Sequence, residues 1–170
     1  MENDGKSGIV AFAFGIPWDI DSNWQIAQIA LKKAIEFNAP IFTQDDIAIE
    51  NRAIDVTHTF NDVSTGNPPS TLQISRRAVM WAKEYKINKL WIAAAKPHLW
   101  RCLRDLKQAV LEAGIKMEVY ACDERINSYP EDSWFCINSE QKHTRSKEEW
   151  DKREGVLRRI PFFLYKWITK

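Results

Sequence analysis

His98 and Arg101 stand three residues apart at the start of a basic helical segment, "PHLWRCLRDL", which follows the apolar run "LWIAAA". Pro97 suits the first helical position, where its missing N–H costs nothing and its fixed φ starts the helix. Residues at this spacing share a face, so one ligand can meet both side chains. A guanidinium is a permanent forked donor for phosphate or carboxylate, and an imidazole at the positive end of a helix is held toward its neutral form. The pair predicts an anion or nucleotide site, with His98 as the proton-transfer group if hydrolysis occurs. The plainer alternative is that Arg101 pairs at the surface with Asp105, four residues on, and that His98 is simply solvated.

Other chemistry-bearing residues sit at predicted element ends. Ser70 and Thr71 open the segment "STLQISRRAVMWA", where Ser70 caps and Gln73 completes a capping box, at an N–H-rich end that also suits an anion. Thr43 and Gln44 close the apolar stretch "APIF", and Gly15 closes "GIVAFAF", where a residue without a Cβ lets backbone approach a ligand closely.

The elements that must position these residues alternate. "GIVAFAF" reads as a strand buried on both faces, and Trp24, Ala27, Ala30, Leu31, Ala34 and Ile35 form a helical stripe closed by Asn38 and Pro40. "APIFTQ" reads as a second strand and "IDVTHTF" as a third, with Ile54, Val56, His58 and Phe60 on one face. A helix from Ser70 to about Tyr85, the strand "NKLWIAAA", a helix ended by Gly114 and the strand "IKMEVYAC" follow. After Asp123 the pattern loosens until "SKEEWDKREGVLRRI" and "PFFLYKWITK" suggest two terminal helices, from about 146 to 170. This order predicts one α/β domain over 1–170, a Rossmann-like, doubly wound, mostly parallel sheet of about five strands with helices on both faces. Ligands of such sheets bind beyond the carboxyl ends of the strands, where Gly15, Thr43, Gln44, His98 and Arg101 fall.

Composition narrows the partners. Apolar residues make up 45% of the 170, enough for a full core, and 24 Lys and Arg against 23 Asp and Glu give no polyanion-binding surface, so nucleic acid is not expected. Cys102, Cys122 and Cys136 are odd in number and widely spaced, as expected of buried thiols in a reducing cytoplasm, and neither cysteines nor histidines show metal-ligand spacing, so no metal site is expected. The polar start "MENDGKSG" does not read as a secretion signal or membrane span. Phe162, Phe163, Tyr165 and Trp167 lie among Arg158, Arg159 and Lys166 at the C-terminal end. The favoured expectation is a terminal helix docking its aromatics on the domain, with contact to a membrane surface or partner as the second.

The order of an early hydrophobic strand, a polar strand end at "TQD", a Thr opening a helix, and "AAAKPHLWRCLRDL" resembles the SanA/YdcF-like family of bacterial α/β proteins over roughly Ile9 to Tyr120. In that family a helix opens with Thr-x-Glu-Asn and a later strand leads into a His followed three residues on by Arg. Thr71, His98 and Arg101 match these patterns, whereas Thr43-Gln44 replace a small-residue and Gly pair and Gln73-Ile74 replace Glu-Asn. The resemblance implies a nucleotide or cofactor binder, with S-adenosylmethionine associated with one branch, and no general reaction. A competing reading is a Mg²⁺-dependent phosphatase of haloacid-dehalogenase type, drawing on "DIDS" at Asp19 to Ser22, Thr43, Lys96 and Asp123-Glu124. In that type the first Asp sits at the strand end, but "GIPW" intervenes here.

Overall fold

Ile9, Val10, Ala11 and Phe12 are all fully buried, yet they divide between two cores. Ile9 and Ala11 join Ile26, Ala30 and Ile41 on one side, whereas Val10 and Phe12 join Ala78, Leu90 and Leu106 on the other. Successive strand side chains point to opposite faces, so a continuous apolar run is what a central strand covered on both sides requires. The computed structural model describes residues 5–59 and 69–169. The elements are β1 (Ser7–Ala11), α1 (Asp21–Phe37), β2 (Ile41–Gln44), β3 (Val56–Thr59), α2 (Thr71–Glu84), β4 (Lys89–Ala93), α3 (Lys96–Glu112) and β5 (Glu118–Ala121). They are followed by α4 (Asp123–Asn127), α5 (Lys147–Arg159) and α6 (Phe162–Ile168), with short 3₁₀ turns at Glu131–Trp134 and Lys142–Thr144.

All five strands are parallel, in the order β3-β2-β1-β4-β5. This is the doubly wound, Rossmann-like arrangement, with α1 on one face and α2 and α3 packed together on the other. The third strand forms as expected from Val56, although Phe60 lies outside the described residues. The first strand ends at Ala11, before the predicted Phe14, because the chain there leaves the sheet to form a loop.

The stripe on α1 differs from the expected one. Trp24 and Ile35 are 60% and 61% exposed, while Ile26 and Ile29 face the sheet beside Ala27, Ala30 and Ala34. The three alanines belong to both versions of the stripe, so spacing alone leaves its edges undefined. At α2 the expected capping box forms: Gln73 N–H donates to Ser70 Oγ at 3.2 Å and Ser70 N–H to Gln73 Oε1 at 2.8 Å.

The C-terminal helix docks on the domain. Tyr165 is buried and donates to Asp105 Oδ2 at 2.5 Å, Lys166 pairs with Glu112 at 2.6 Å, and Ser70 Oγ donates to the Thr169 carbonyl at 3.1 Å. Asp105 takes its second partner from its neighbour Arg104 at 2.7 Å. Phe163 and Trp167 remain 70% and 73% exposed. Among the described residues no helix is long and apolar enough to cross a membrane.

Candidate functional site

The strand order reverses at β1. The chain moves outward to β2 and β3 on one side, then returns to β4 and β5 on the other, so the loops leaving β1 and β4 diverge and open a crevice. A cleft of about 310 Å³ occupies that position. Its floor is the loop Phe12 to Gly15, and its walls carry Ser70 and Thr71 from the start of α2 and His98 and Arg101 from the first turns of α3.

Local bonds fix the floor. Asn23 Oδ1 accepts from Phe14 N–H at 2.9 Å, its amide donates to the Gly15 carbonyl at 3.0 Å, and Ser22 donates to the Phe14 carbonyl at 2.8 Å. Gln44 Oε1 accepts from Ala13 N–H at 2.9 Å, which places Gln44 on the cleft through a structural bond of its own. Thr43 is the exception among the expected residues: it is fully buried, its hydroxyl donates to the Ala11 carbonyl at 3.4 Å, and it does not line the cleft. Adjacent strand residues face opposite ways, so a strand end that presents Gln44 must turn Thr43 inward. The opening left by the absent Gly15 side chain is taken by protein, since a Cβ there would meet Ser139 Oγ at 2.6 Å. Close approach of a ligand is therefore not what that glycine permits.

His98 is not solvated. It is 6% exposed, and its ring is boxed by Phe12, Phe14 and Trp150 at centroid distances of 6.5, 6.0 and 5.5 Å. Its Nε2 lies 3.1 Å from Thr71 Oγ1, and its buried Nδ1 has no hydrogen-bond partner. Burial first, then the charges of Arg101 and Arg153, push its pKa well below the ordinary imidazole value. The neutrality expected from the helix dipole thus has a different main cause.

Arg101 does not pair with Asp105 at the surface. It is 5% exposed, its Nη1 lies 2.7 Å from Glu154 Oε1 of α5, and its buried Nε has no partner. Truncating Arg101 would therefore strand the buried carboxylate of Glu154.

The third wall comes from the region where the sequence pattern loosens. His143 and Thr144 lie on the second 3₁₀ turn, and Trp150 and Arg153 project from α5. Trp150 is the hub: its indole donates to the Pro97 carbonyl at 3.2 Å, and its ring lies 4.6 Å from Phe14, 5.9 Å from His143 and 5.1 Å from the Arg101 guanidinium. Arg153 is exposed over much of its surface, yet enough protein surrounds it that desolvation, followed by the Arg101 charge, lowers its pKa. Desolvation, with Arg153 and Arg101 next, brings His143 down to about 4. Asp46 also lines the cleft, and Tyr165, Ile168 and Thr169 of the C-terminal segment complete it.

One signal for these missed residues was present. Trp150, Arg153 and Leu157 are spaced to share a helical face, after the cap in which Ser146 Oγ accepts from Glu149 N–H at 3.3 Å. No local pattern says which surface that face covers.

The phosphatase-like residues do not meet at this cleft. Asp19 and Asp21 border a separate depression with Phe135 and Ile137, and Thr43 is interior. Among the described residues no three His, Cys, Asp or Glu side chains converge as a metal-binding group.

The two depressed imidazoles predict an acid-sensitive fold. Both are neutral when folded but take up a proton near pH 6.5 when unfolded, so stability is unaffected above 6.5 and falls as pH drops below it. The His143 contribution levels off below about 4. Urea melts between pH 7 and 5 should show a loss of about 1 kcal/mol per pH unit for His98, with a smaller share from the partly solvated His143. His143→Gln should flatten the curve in part.

No family model, curated protein or solved structure matches the chain.

Proposed function

We propose that the cleft binds a small anionic, nucleotide-like ligand bearing a phosphate, in keeping with the SanA/YdcF-like order of Thr71, His98 and Arg101. One observation carries the reading: two guanidiniums, Arg101 and Arg153, share a concave wall with two imidazoles at the β1–β4 switch point. Glu154 neutralises Arg101, so Arg153 is the cation at the rim that an incoming anion meets. The Nε of Arg101 and one ring nitrogen of His98 still lack partners. Phosphate offers oxygens to Arg153 at the rim, and charge-assisted bonds to it are roughly twice as strong as neutral ones. S-adenosylmethionine fits this wall less well, because its sulfonium would enter a cleft that already holds two guanidiniums. The volume suits a mononucleotide or sugar phosphate rather than a dinucleotide.

A thermal-shift series of inorganic phosphate, mononucleotides, sugar phosphates and S-adenosylmethionine tests this. A phosphate compound at a hundredfold excess over its Kd should stabilise the fold by about 2.7 kcal/mol. Arg153→Gln should weaken its affinity about tenfold without changing the unliganded fold. Stabilisation by none of the phosphate compounds would defeat the reading.

A second reading has its own observation. Phe163 and Trp167 project from α6 beside the basic end of α5, as an interfacial segment would. Co-sedimentation with phosphatidylglycerol vesicles, abolished by Phe163→Glu with Trp167→Glu, is the expected result. No sedimentation of the unaltered chain would dismiss membrane contact.

A further inference from the structure

Four of the seven residues of α6, Phe163, Leu164, Trp167 and Ile168, leave large apolar side chains exposed, and only Tyr165 is buried. Little apolar area therefore holds this helix in place, and polar ties carry its attachment. The Tyr165 hydroxyl donates to Asp105, its ring lies 4.0 Å from the Arg104 guanidinium, and Lys166 pairs with Glu112. The joint with α5 can turn. Ile160 N–H bonds back to the Val156 carbonyl, whereas the bonds of α6 begin at the Pro161 carbonyl, and Pro161 has no N–H to link the two helices. Rotation at this joint breaks neither set of bonds.

The inner side of α6 belongs to the cleft. Tyr165, Ile168 and Thr169 line it, and the Thr169 carbonyl accepts from Ser70 Oγ at 3.1 Å. Ser70 Oγ itself accepts from Gln73 N–H, so its one hydroxyl proton is committed to Thr169. A ligand oxygen that used this donor, at the N–H-rich start of α2, would have to displace the carbonyl.

We propose, on the phosphate reading above, that α6 is an autoinhibitory strap. Docked, it holds the Ser70 hydroxyl and walls the cleft; undocked, it frees that donor and widens the mouth for the phosphate ligand. The apparent affinity for phosphate is then the intrinsic affinity scaled by the undocked fraction, and whatever weakens the ties raises it. An undocked segment of seven residues is too short to stay helical in water, so its amides report the change.

Hydrogen exchange of the full chain, with and without saturating inorganic phosphate, tests this. Phosphate should speed exchange at the α6 amides about tenfold or more, while the amides of α2 and α3 do not accelerate. Tyr165→Phe removes the tie to Asp105, and should speed α6 exchange without phosphate and lower the phosphate Kd about tenfold. Lys166 lies outside the cleft wall and its partner Glu112 keeps Arg76, so Lys166→Ala should lower the Kd about twofold. Phosphate binding that slows or spares α6 exchange, or variants that bind phosphate no more tightly than the unaltered chain, would overturn the strap while the phosphate reading stands. Phosphate that neither stabilises the chain nor alters any amide defeats both.

Discussion

Replacing Arg101 with alanine is expected to cost the fold about 3–5 kcal/mol, a large part of the total stability of a domain this size. Arg101 and Glu154 have side chains only 5% and 4% exposed, with 2.7 Å between Nη1 and Oε1. Truncation of either partner leaves the other as an uncompensated buried charge. The pair also joins α3 to α5, so its loss loosens the wall that carries Trp150 and Arg153. Arg101→Met combined with Glu154→Leu removes both charges and keeps the volume, and should recover most of the loss. Urea unfolding of the two single variants and the double variant measures this. A single-variant cost below about 1 kcal/mol would mean that the pair is solvated and worth no more than a surface bridge.

Gly15→Ala is the second large effect, at roughly 3–4 kcal/mol from strain and lost buried hydrogen bonds. Gly15 has φ +95°, where L side chains are strained, and an added Cβ would meet Ser139 Oγ at 2.6 Å, Thr144 Oγ1 at 2.8 Å and Ile20 Cδ1 at 2.9 Å. The two hydroxyls cannot move away cheaply. They are 2.7 Å apart and buried, Ser139 also donates to the Ile16 carbonyl at 3.2 Å, and Thr144 donates to the Gln141 carbonyl at 2.9 Å. This network holds the segment carrying His143 against the loop after β1. The variant should therefore lose stability and weaken phosphate binding together. Denaturant unfolding with phosphate titration checks both, and an alanine tolerated within 1 kcal/mol would contradict the packing described.

The order of the sheet was legible because its signals are local. Continuous apolar strands, the Ser70 capping box, Pro97 at a helix start and Gly114 at a helix end each act over a few residues, and β1, α2, β4 and α3 form where those signals fall. Gly15, Gln44, Ser70, Thr71, His98 and Arg101 were placed together for the same reason, since a parallel sheet brings its strand ends and helix starts to one edge. Thr43 was misplaced because alternation, not proximity to a strand end, decides which side chain faces out. The partners were not legible. Glu154 lies 53 positions beyond Arg101, and Trp150 the same number beyond Pro97, contacts that only the return of α5 across the strand ends creates. The same return buries His98, so its neutrality depends on a segment whose destination no local pattern announces.

The most direct test of the cleft as an anion site is a titration of the full chain with inorganic phosphate, followed through the ring nitrogens of its three histidines by ¹⁵N NMR. His98 and His143 should shift together and saturate at one phosphate concentration, while His58 on β3, paired loosely with Asp45 at 4.0 Å, stays unchanged. Shifts that never saturate, or that appear at His58 and spare the other two, would contradict the account.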